Sequence, residues 1–280
     1  MLPRSQKLVR VVEDGHATTR PDYVATEEPL EIRLVAGGSR QTLAVTMRTP
    51  GSDFELAVGF LFSEGIISSG GDLRRITYCT EGEQRYNVVN VELAAAALPE
   101  LQPLERHFFT SSACGVCGKA SLDQLEHRGY QPLQGGPTLA PDVLYGLPER
   151  LREAQGVFRS TGGLHAAGLF ASGGELVALR EDVGRHNALD KLVGSAVLQG
   201  MVPLHDHLIV VSGRTSYEIL QKAIAAGVPA VCGISAPSSL AVALAERFGV
   251  TLVGFLRDRR FNVYAHAERV ALSTPAHGPP

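Results

Sequence analysis

The sequence predicts an α/β protein in which a larger layered domain follows a smaller α+β lobe. Two observations carry this reading. From Leu164 onward, short apolar runs alternate with helical segments: LHAAGLFA and ELVALRE around an SGG turn, a helix from Arg185, HLIVVSG, a helix over 215–226, PAVCGIS, a helix over 238–248, and TLVGFL. Strands that are apolar throughout and separated by helices belong to a sheet covered on both faces. Upstream the pattern differs, because strand-like pairs sit on either side of turns and enclose a single helix.

Taken in order, residues 1–24 are polar and weakly patterned and are expected to be loosely ordered. PLEIRLVA and RQTLAVTMRTP flank a GGS turn and read as a β-hairpin. Ser52 and Asp53 form a polar start to the apolar helix FELAVGFLFSEG, and ITYC with RYNVVNVEL suggests a second strand pair across an EGEQ turn. This small lobe spans 25–118 and ends in a cysteine loop. The larger domain covers 119–270, opening with a short helix over KASLDQLEHR, a surface loop QGGPTLAP at 134–141 and a helix to about Gln155. FNVYAH reads as a short closing strand, and 271–280 as a flexible proline-rich tail.

Composition excludes several function classes. At 280 residues the chain can bury a full core, and 44% hydrophobic with 20% charged residues is ordinary for a globular protein. A net charge of -3 gives no nucleic-acid signal, so any anion binding must be local. The first residues lack an apolar core of signal-peptide length, and no window reaches the roughly 18 apolar residues of a membrane span. A cytoplasmic protein is expected, with its 4 cysteines mostly reduced.

Sulfur chemistry is concentrated in SSACGVCGKAS at 111–121, where Cys114 and Cys117 are each followed by glycine and Lys119 lies just behind. A flanking cation or helix N-terminus favours the thiolate, which is the reactive form. The glycines leave the sulfurs uncovered. Three chemistries compete. A structural zinc site needs about four ligands, and Cys79 and Cys232 are isolated, so only a mixed site with histidines would close. A thioredoxin-like redox pair would stand after the first strand of a βαβ unit. The third is a thiolate that carries sulfur or forms a covalent intermediate.

Three polar turns in the α/β domain lead straight into helices: 181–187, 212–216 and 235–239. In open α/β sheets, ligands bind at the carboxyl ends of strands, where helix N-termini offer free N–H groups to anions. Ser212, Gly213, Arg214 and Thr215 suit a phosphate because a guanidinium bonds its oxygens in a bidentate manner, and Arg185 and His186 open the helix after the first turn. Arg257, Asp258, Arg259 and Arg260 follow the last long strand as a local anion trap in a negatively charged chain. For each of these the simpler reading is an N-cap or a solvated edge.

The motifs SSACGVCGK, TGGLHAAGLF, REDVGRHNALDKLVG, SGRTSYEILQKA and FLRDRRFNVYAH together resemble the formate dehydrogenase accessory sulfurtransferase family, of the FdhD/NarQ sulfur-carrier type, over about residues 25–270. The resemblance implies a cytidine deaminase-like fold for the β-β-α-β-α-β order. It implies transfer of persulfide sulfur from a cysteine desulfurase to the bis-molybdopterin guanine dinucleotide molybdenum cofactor destined for formate dehydrogenase. It also implies Cys114 as persulfide carrier with Cys117 assisting, a homodimer, and cofactor contacts through Phe255, Leu256 and Arg257 to Arg260. Ser212 to Thr215, His165, Arg185 and His186 are weaker companions. Where zinc deaminases carry His-x-Glu followed by PCxxC, this chain has His165-Ala166-Ala167, and its CxxC comes earlier, which argues against hydrolytic deamination. Two alternatives remain: a cofactor chaperone whose loop only seals the bound cofactor, and a zinc hydrolase on the deaminase scaffold.

Overall fold

The computed structural model describes residues 2–80, 86–99 and 125–271. The cysteine loop with Cys114 and Cys117, the EGEQ turn, most of the helix expected over KASLDQLEHR and most of the tail lie outside the described residues. Three sheets are present, with strand orders β1-β2, β4-β3-β6-β5 and β12-β11-β10-β9-β7-β8. The chain divides into two compact units, but not at one point in the sequence. Unit 1 comprises Met1–Tyr130, Ala154–Ala167 and Leu179–Val202, and unit 2 comprises Gln131–Glu153, Gly168–Ala178 and Pro203–Pro280. The expected boundary near residue 118 is therefore replaced by an interleaved one.

In unit 1, residues expected to be loosely ordered form a hairpin of β1 (Arg4–Glu13) and β2 (His16–Ala25), ten residues each and paired without a register shift. The expected hairpin is β3 (Glu28–Ala36) and β4 (Ser39–Arg48). Gly37 and Gly38 connect them with φ of 56° and 80°, the left-handed pair that a two-residue hairpin turn requires. Along β3 the inward side chains Leu30, Ile32 and Leu34 are fully buried and alternate with Glu31 and Arg33. Each such burial contributes about 1.5–3 kcal/mol. β6 (Val88–Leu93) pairs in parallel with β3, and β5 (Leu73–Tyr78) runs antiparallel to β6.

Helix α1 (Asp53–Ser63) buries Leu56, Leu61 and Phe62. Ser52 precedes it in a left-handed conformation and makes no side-chain cap. Asp53 is committed elsewhere: its carboxylate accepts from Arg48 Nε and Nη2, both at 3.0 Å, and from the Tyr78 hydroxyl at 3.1 Å. Burial and the Asp53 charge push the Tyr78 phenol up to about 12.

Unit 1 also takes the second half of β8 and all of helix α4 (Arg185–Leu198), because α1 and α4 cross at contact distance. Gly59 and Gly194 make that approach possible. Arg180 ties the layers further, donating to Glu55 at 2.5 and 2.7 Å and to Ser195 Oγ at 2.8 Å.

In unit 2, helix α2 (Pro141–Ala154) buries Leu144, Leu147 and Leu151. The short helix α3 (Phe158–Thr161) belongs to unit 1. Strands β7 (His165–Ala171) and β8 (Leu176–Asp182) straddle the division. Then β9 (His207–Val211), α5 (Tyr217–Ala225), β10 (Ala230–Gly233), α6 (Ser239–Phe248) and β11 (Thr251–Arg257) alternate as expected, and β12 (Arg260–Ala265) closes the sheet. β9, β10 and β11 are mutually parallel, while β12 returns antiparallel.

Candidate functional site

The parallel strands β9, β10 and β11 deliver three polar loops to one edge of the unit 2 sheet. Backbone bonds knit them together. Thr215 N–H donates to Ala236 O at 3.2 Å, Ser238 N–H to Thr215 O at 2.9 Å, and Phe255 N–H to Ser235 O at 3.1 Å. The sequence-predicted group of Ser212, Gly213, Arg214 and Thr215 is thus joined to Phe255, the first residue of the second group.

Glycines set the spacing of these loops. A Cβ on Gly233 would lie 2.5 Å from Thr215 Oγ1, and one on Gly254 would lie 2.9 Å from Pro237 Cδ. Thr215 is fully buried, yet its hydroxyl has no hydrogen-bond partner among the described residues. A buried hydroxyl without a partner is costly in a stable core and more readily tolerated beside a binding site. Arg214 is exposed.

The 255–260 segment is shaped by backbone strain. Phe255 takes φ of 52° within a bulge between Gly254 and Arg257. Asp258 and Arg259 both have positive φ, 52° and 54°, and form the two-residue turn that places Arg257 directly opposite Arg260. Like charges facing each other across strands repel, which favours an anion between them. The third arginine is otherwise engaged: Arg259 pairs with Asp142 at 2.9 Å and lies 4.8 Å over the Tyr145 ring. Leu256 is 0% exposed, so its side chain belongs to the core rather than to a binding surface.

Unit 1 gathers the remaining candidates at the N-terminus of α4. His165 begins β7 and is held below the ordinary histidine value of 6.5, first by burial and then by the charges of Arg185 and His186, with Asp182 acting against them. Arg185 Nε is buried without a partner among the described residues. Asp182, which sequence reasoning placed only as part of a turn, proves to be the organiser. Its carboxylate accepts from Thr49 N–H at 3.1 Å, Gly184 N–H at 2.8 Å and Asn187 Nδ2 at 3.2 Å, and pairs with Lys191 Nζ at 2.6 Å. Only the polar residue types around 181–191 could have hinted at this, since no local pattern distinguishes a buried lysine from a solvated one.

The described residues contain no cluster of three or more His, Cys, Asp or Glu able to hold a metal ion. Cys79 is half-buried and Cys232 fully buried. No helix among the described residues is long and apolar enough to cross a membrane.

These features define a mixed α/β protein with several sheets, whose polar, cation-bearing loops stand at the carboxyl ends of parallel strands. Comparison with known proteins then fixes its kinship. The model of the FdhD/NarQ family matches residues 25–271, and the chain belongs to that family. It is 51% identical over 278 residues to the sulfur carrier protein FdhD of Streptomyces avermitilis, covering 97% of this chain and 96% of that protein. It is 49% identical over 249 residues to the protein of the same name from Sulfurisphaera tokodaii, covering 89% and 92% respectively. A crystal structure of a Desulfotalea psychrophila protein assigned as a formate dehydrogenase accessory protein matches with a TM-score of 0.74 at 26% identity, over 95% of this chain and 99% of that one.

Proposed function

We propose that the chain is a sulfurtransferase that carries persulfide sulfur from a cysteine desulfurase to the bis-molybdopterin guanine dinucleotide molybdenum cofactor of formate dehydrogenase. The observation that carries this reading is the paired-thiol motif CGVCGK at 114–119, lying within the 25–271 family match whose curated relatives bear the name sulfur carrier protein. The element order β7-β8-α4-β9-α5-β10 supports a cytidine deaminase-like arrangement of the larger sheet.

In the proposed cycle the Cys114 thiolate attacks the outer sulfur of the donor's persulfide. The donor's inner S–S bond breaks, its cysteine leaves as thiolate, and the sulfane sulfur becomes a persulfide on Cys114 with no net redox change. Release uses Cys117 as a resolving thiolate. It attacks Cys114 Sγ, sulfide departs with the bonding electron pair toward the metal of the acceptor, and a Cys114–Cys117 disulfide forms, which a cellular dithiol reduces.

The acceptor cofactor is the substrate of this transfer rather than a resident group. The residues of unit 2 fit its anionic nucleotide arms in charge. Arg257 and Arg260 oppose each other, Arg214 is exposed beside a glycine, and Gly233 and Gly254 leave no room for a Cβ where the loops converge. Arg185, whose Nε is buried without a partner among the described residues, stands beside His165 and His186 in unit 1 as a second group that suits phosphate. A cytoplasmic homodimer completes the reading.

Mass spectrometry of the full chain after incubation with a cysteine desulfurase and cysteine tests the proposal. One added sulfur on Cys114, absent from Cys114→Ala, is expected. A stable adduct on Cys117 alone would reverse the roles, and no adduct on either thiol would leave only a chaperone function. Stoichiometric bound metal that disappears in Cys114→Ala would favour the zinc hydrolase.

A further inference from the structure

The turn that sets Arg257 opposite Arg260 carries a further arginine in a different setting. The side chain of Arg259 reaches helix α2, where Nη2 donates to Asp142 Oδ1 at 2.9 Å and the guanidinium carbon stands 4.8 Å from the centroid of the Tyr145 ring. Asp142 and Tyr145 are three residues apart, so both rise from one side of α2, while Leu144, Leu147 and Leu151 fill the core. Phe261, the residue after Arg260, meets the Tyr145 ring at 5.5 Å with 45° between the planes. All of these residues belong to unit 2.

Arg259 is an exchangeable occupant of this place. Its side chain is 74% exposed and that of Asp142 84%, and a solvated ion pair of this kind is weakly held. The place itself has a defined chemistry: it takes a planar group that donates N–H bonds, with an aromatic ring beneath it and a carboxylate at its edge. Guanine offers the same features. Its N1–H and 2-amino group form a guanidine-like donor edge, and proteins read unpaired bases by stacking them on aromatic rings and bonding that edge. Adenine carries an acceptor at N1 and would set it against the carboxylate.

We infer that Asp142 and Tyr145 form the guanine-reading subsite of unit 2, with the Arg259 guanidinium as its internal stand-in. The donor edge of the base replaces the guanidinium at Asp142, and the face of the base replaces it on Tyr145. Arg259 then returns toward the turn that bears Arg257 and Arg260, where the phosphates of the same nucleotide are held. The choice of guanine rests on the acceptor proposed above, whose nucleotide arms carry that base. The new element is the pair of residues that tells it from other bases.

Calorimetric titration of the full chain with guanosine diphosphate, adenosine diphosphate and pyrophosphate tests the assignment. Wild type is expected to bind guanosine diphosphate about tenfold more tightly than adenosine diphosphate, as a matched pair of base-edge hydrogen bonds supplies. Asp142→Asn should erase that preference by weakening guanosine diphosphate and not pyrophosphate. Tyr145→Ala should weaken both nucleotides severalfold and leave pyrophosphate unchanged, whereas Tyr145→Phe keeps the ring and should match wild type. If Asp142→Asn shifts all three ligands by one factor, the carboxylate acts only through its charge on Arg259 and reads no base. Wild type that binds pyrophosphate but prefers neither nucleotide would sink the subsite and leave the phosphate grip of the acceptor reading intact. Binding of none of the three would sink that grip as well.

Discussion

Gly59 on α1 and Gly194 on α4 pack backbone against backbone: a Cβ on Gly59 would lie 1.8 Å from the Asp190 carbonyl oxygen, and one on Gly194 would lie 1.9 Å from that of Glu55. Both contacts are to main-chain atoms, which cannot rotate away. Gly59→Ala or Gly194→Ala should therefore cost about 3 kcal/mol or more, because the helices must separate and the core beneath them loosen. Urea denaturation would show it, and a loss below about 1 kcal/mol would mean that the helices slide freely.

Acid should weaken the fold through His165. Its folded-state value lies below the ordinary 6.5, so the unfolded chain binds the proton more readily. Stability is then full above 6.5 and falls with pH until the depressed folded value is passed, below which this contribution is constant. His165→Gln should remove that part of the slope, as read from denaturation midpoints between pH 5 and 8. An unchanged slope would show that the imidazole is better solvated than its burial implies.

The three arginines of the 257–260 segment should not be equivalent. Arg257 and Arg260 face one another, whereas Arg259 is already paired with Asp142 and stacked on Tyr145. Calorimetric titration with guanosine diphosphate is expected to show about tenfold weaker binding for Arg257→Ala and for Arg260→Ala, as charge-assisted contacts to phosphate require. Arg259→Ala should have the smaller effect. Equal losses at all three positions would point to a diffuse field rather than a defined grip.

Cys232 should be inert while the protein is folded. It is 0% exposed, and burial pushes its thiol up to about 12, far above the pH at which thiolates are alkylated. Iodoacetamide at pH 8 should label it only after denaturation. Sulfur found on Cys232 in the folded protein would undo the argument that reactivity is confined to the 114–117 loop.

Much of the architecture was legible because periodicity reports burial. The alternation along PLEIRLVA and the Gly-Gly pair after it located β3, β4 and their turn, and the apolar runs from Leu164 onward located β7 to β11. The N-terminal ribbon escaped because one face of β1 is exposed and the other only half-buried, so RSQKLVRVVE carries charges where a buried strand would alternate. The division into units escaped for a different reason. Nothing local in RHNALDKLVG says that Gly194 meets Gly59, more than a hundred residues earlier. Of the candidate site, the polar turns were visible from residue type, but the burial of Thr215 and Leu256 was not, because each sits next to residues that are exposed or half-exposed. Cys114 and Cys117 lie outside the described residues, so the sequence alone speaks for them.

The Asp182 carboxylate receives N–H bonds from Thr49 in one stretch of chain and Gly184 in another, while Lys191 Nζ, its ion-pair partner, also donates to Thr49 O at 2.8 Å. Neither stretch can open to solvent without stranding the same anion, so the two behave as one latch. Their amide protons should exchange with deuterium at a common rate set by a shared opening event, and they mark the segment before α1 and the segment before α4 as a single cooperative element of unit 1.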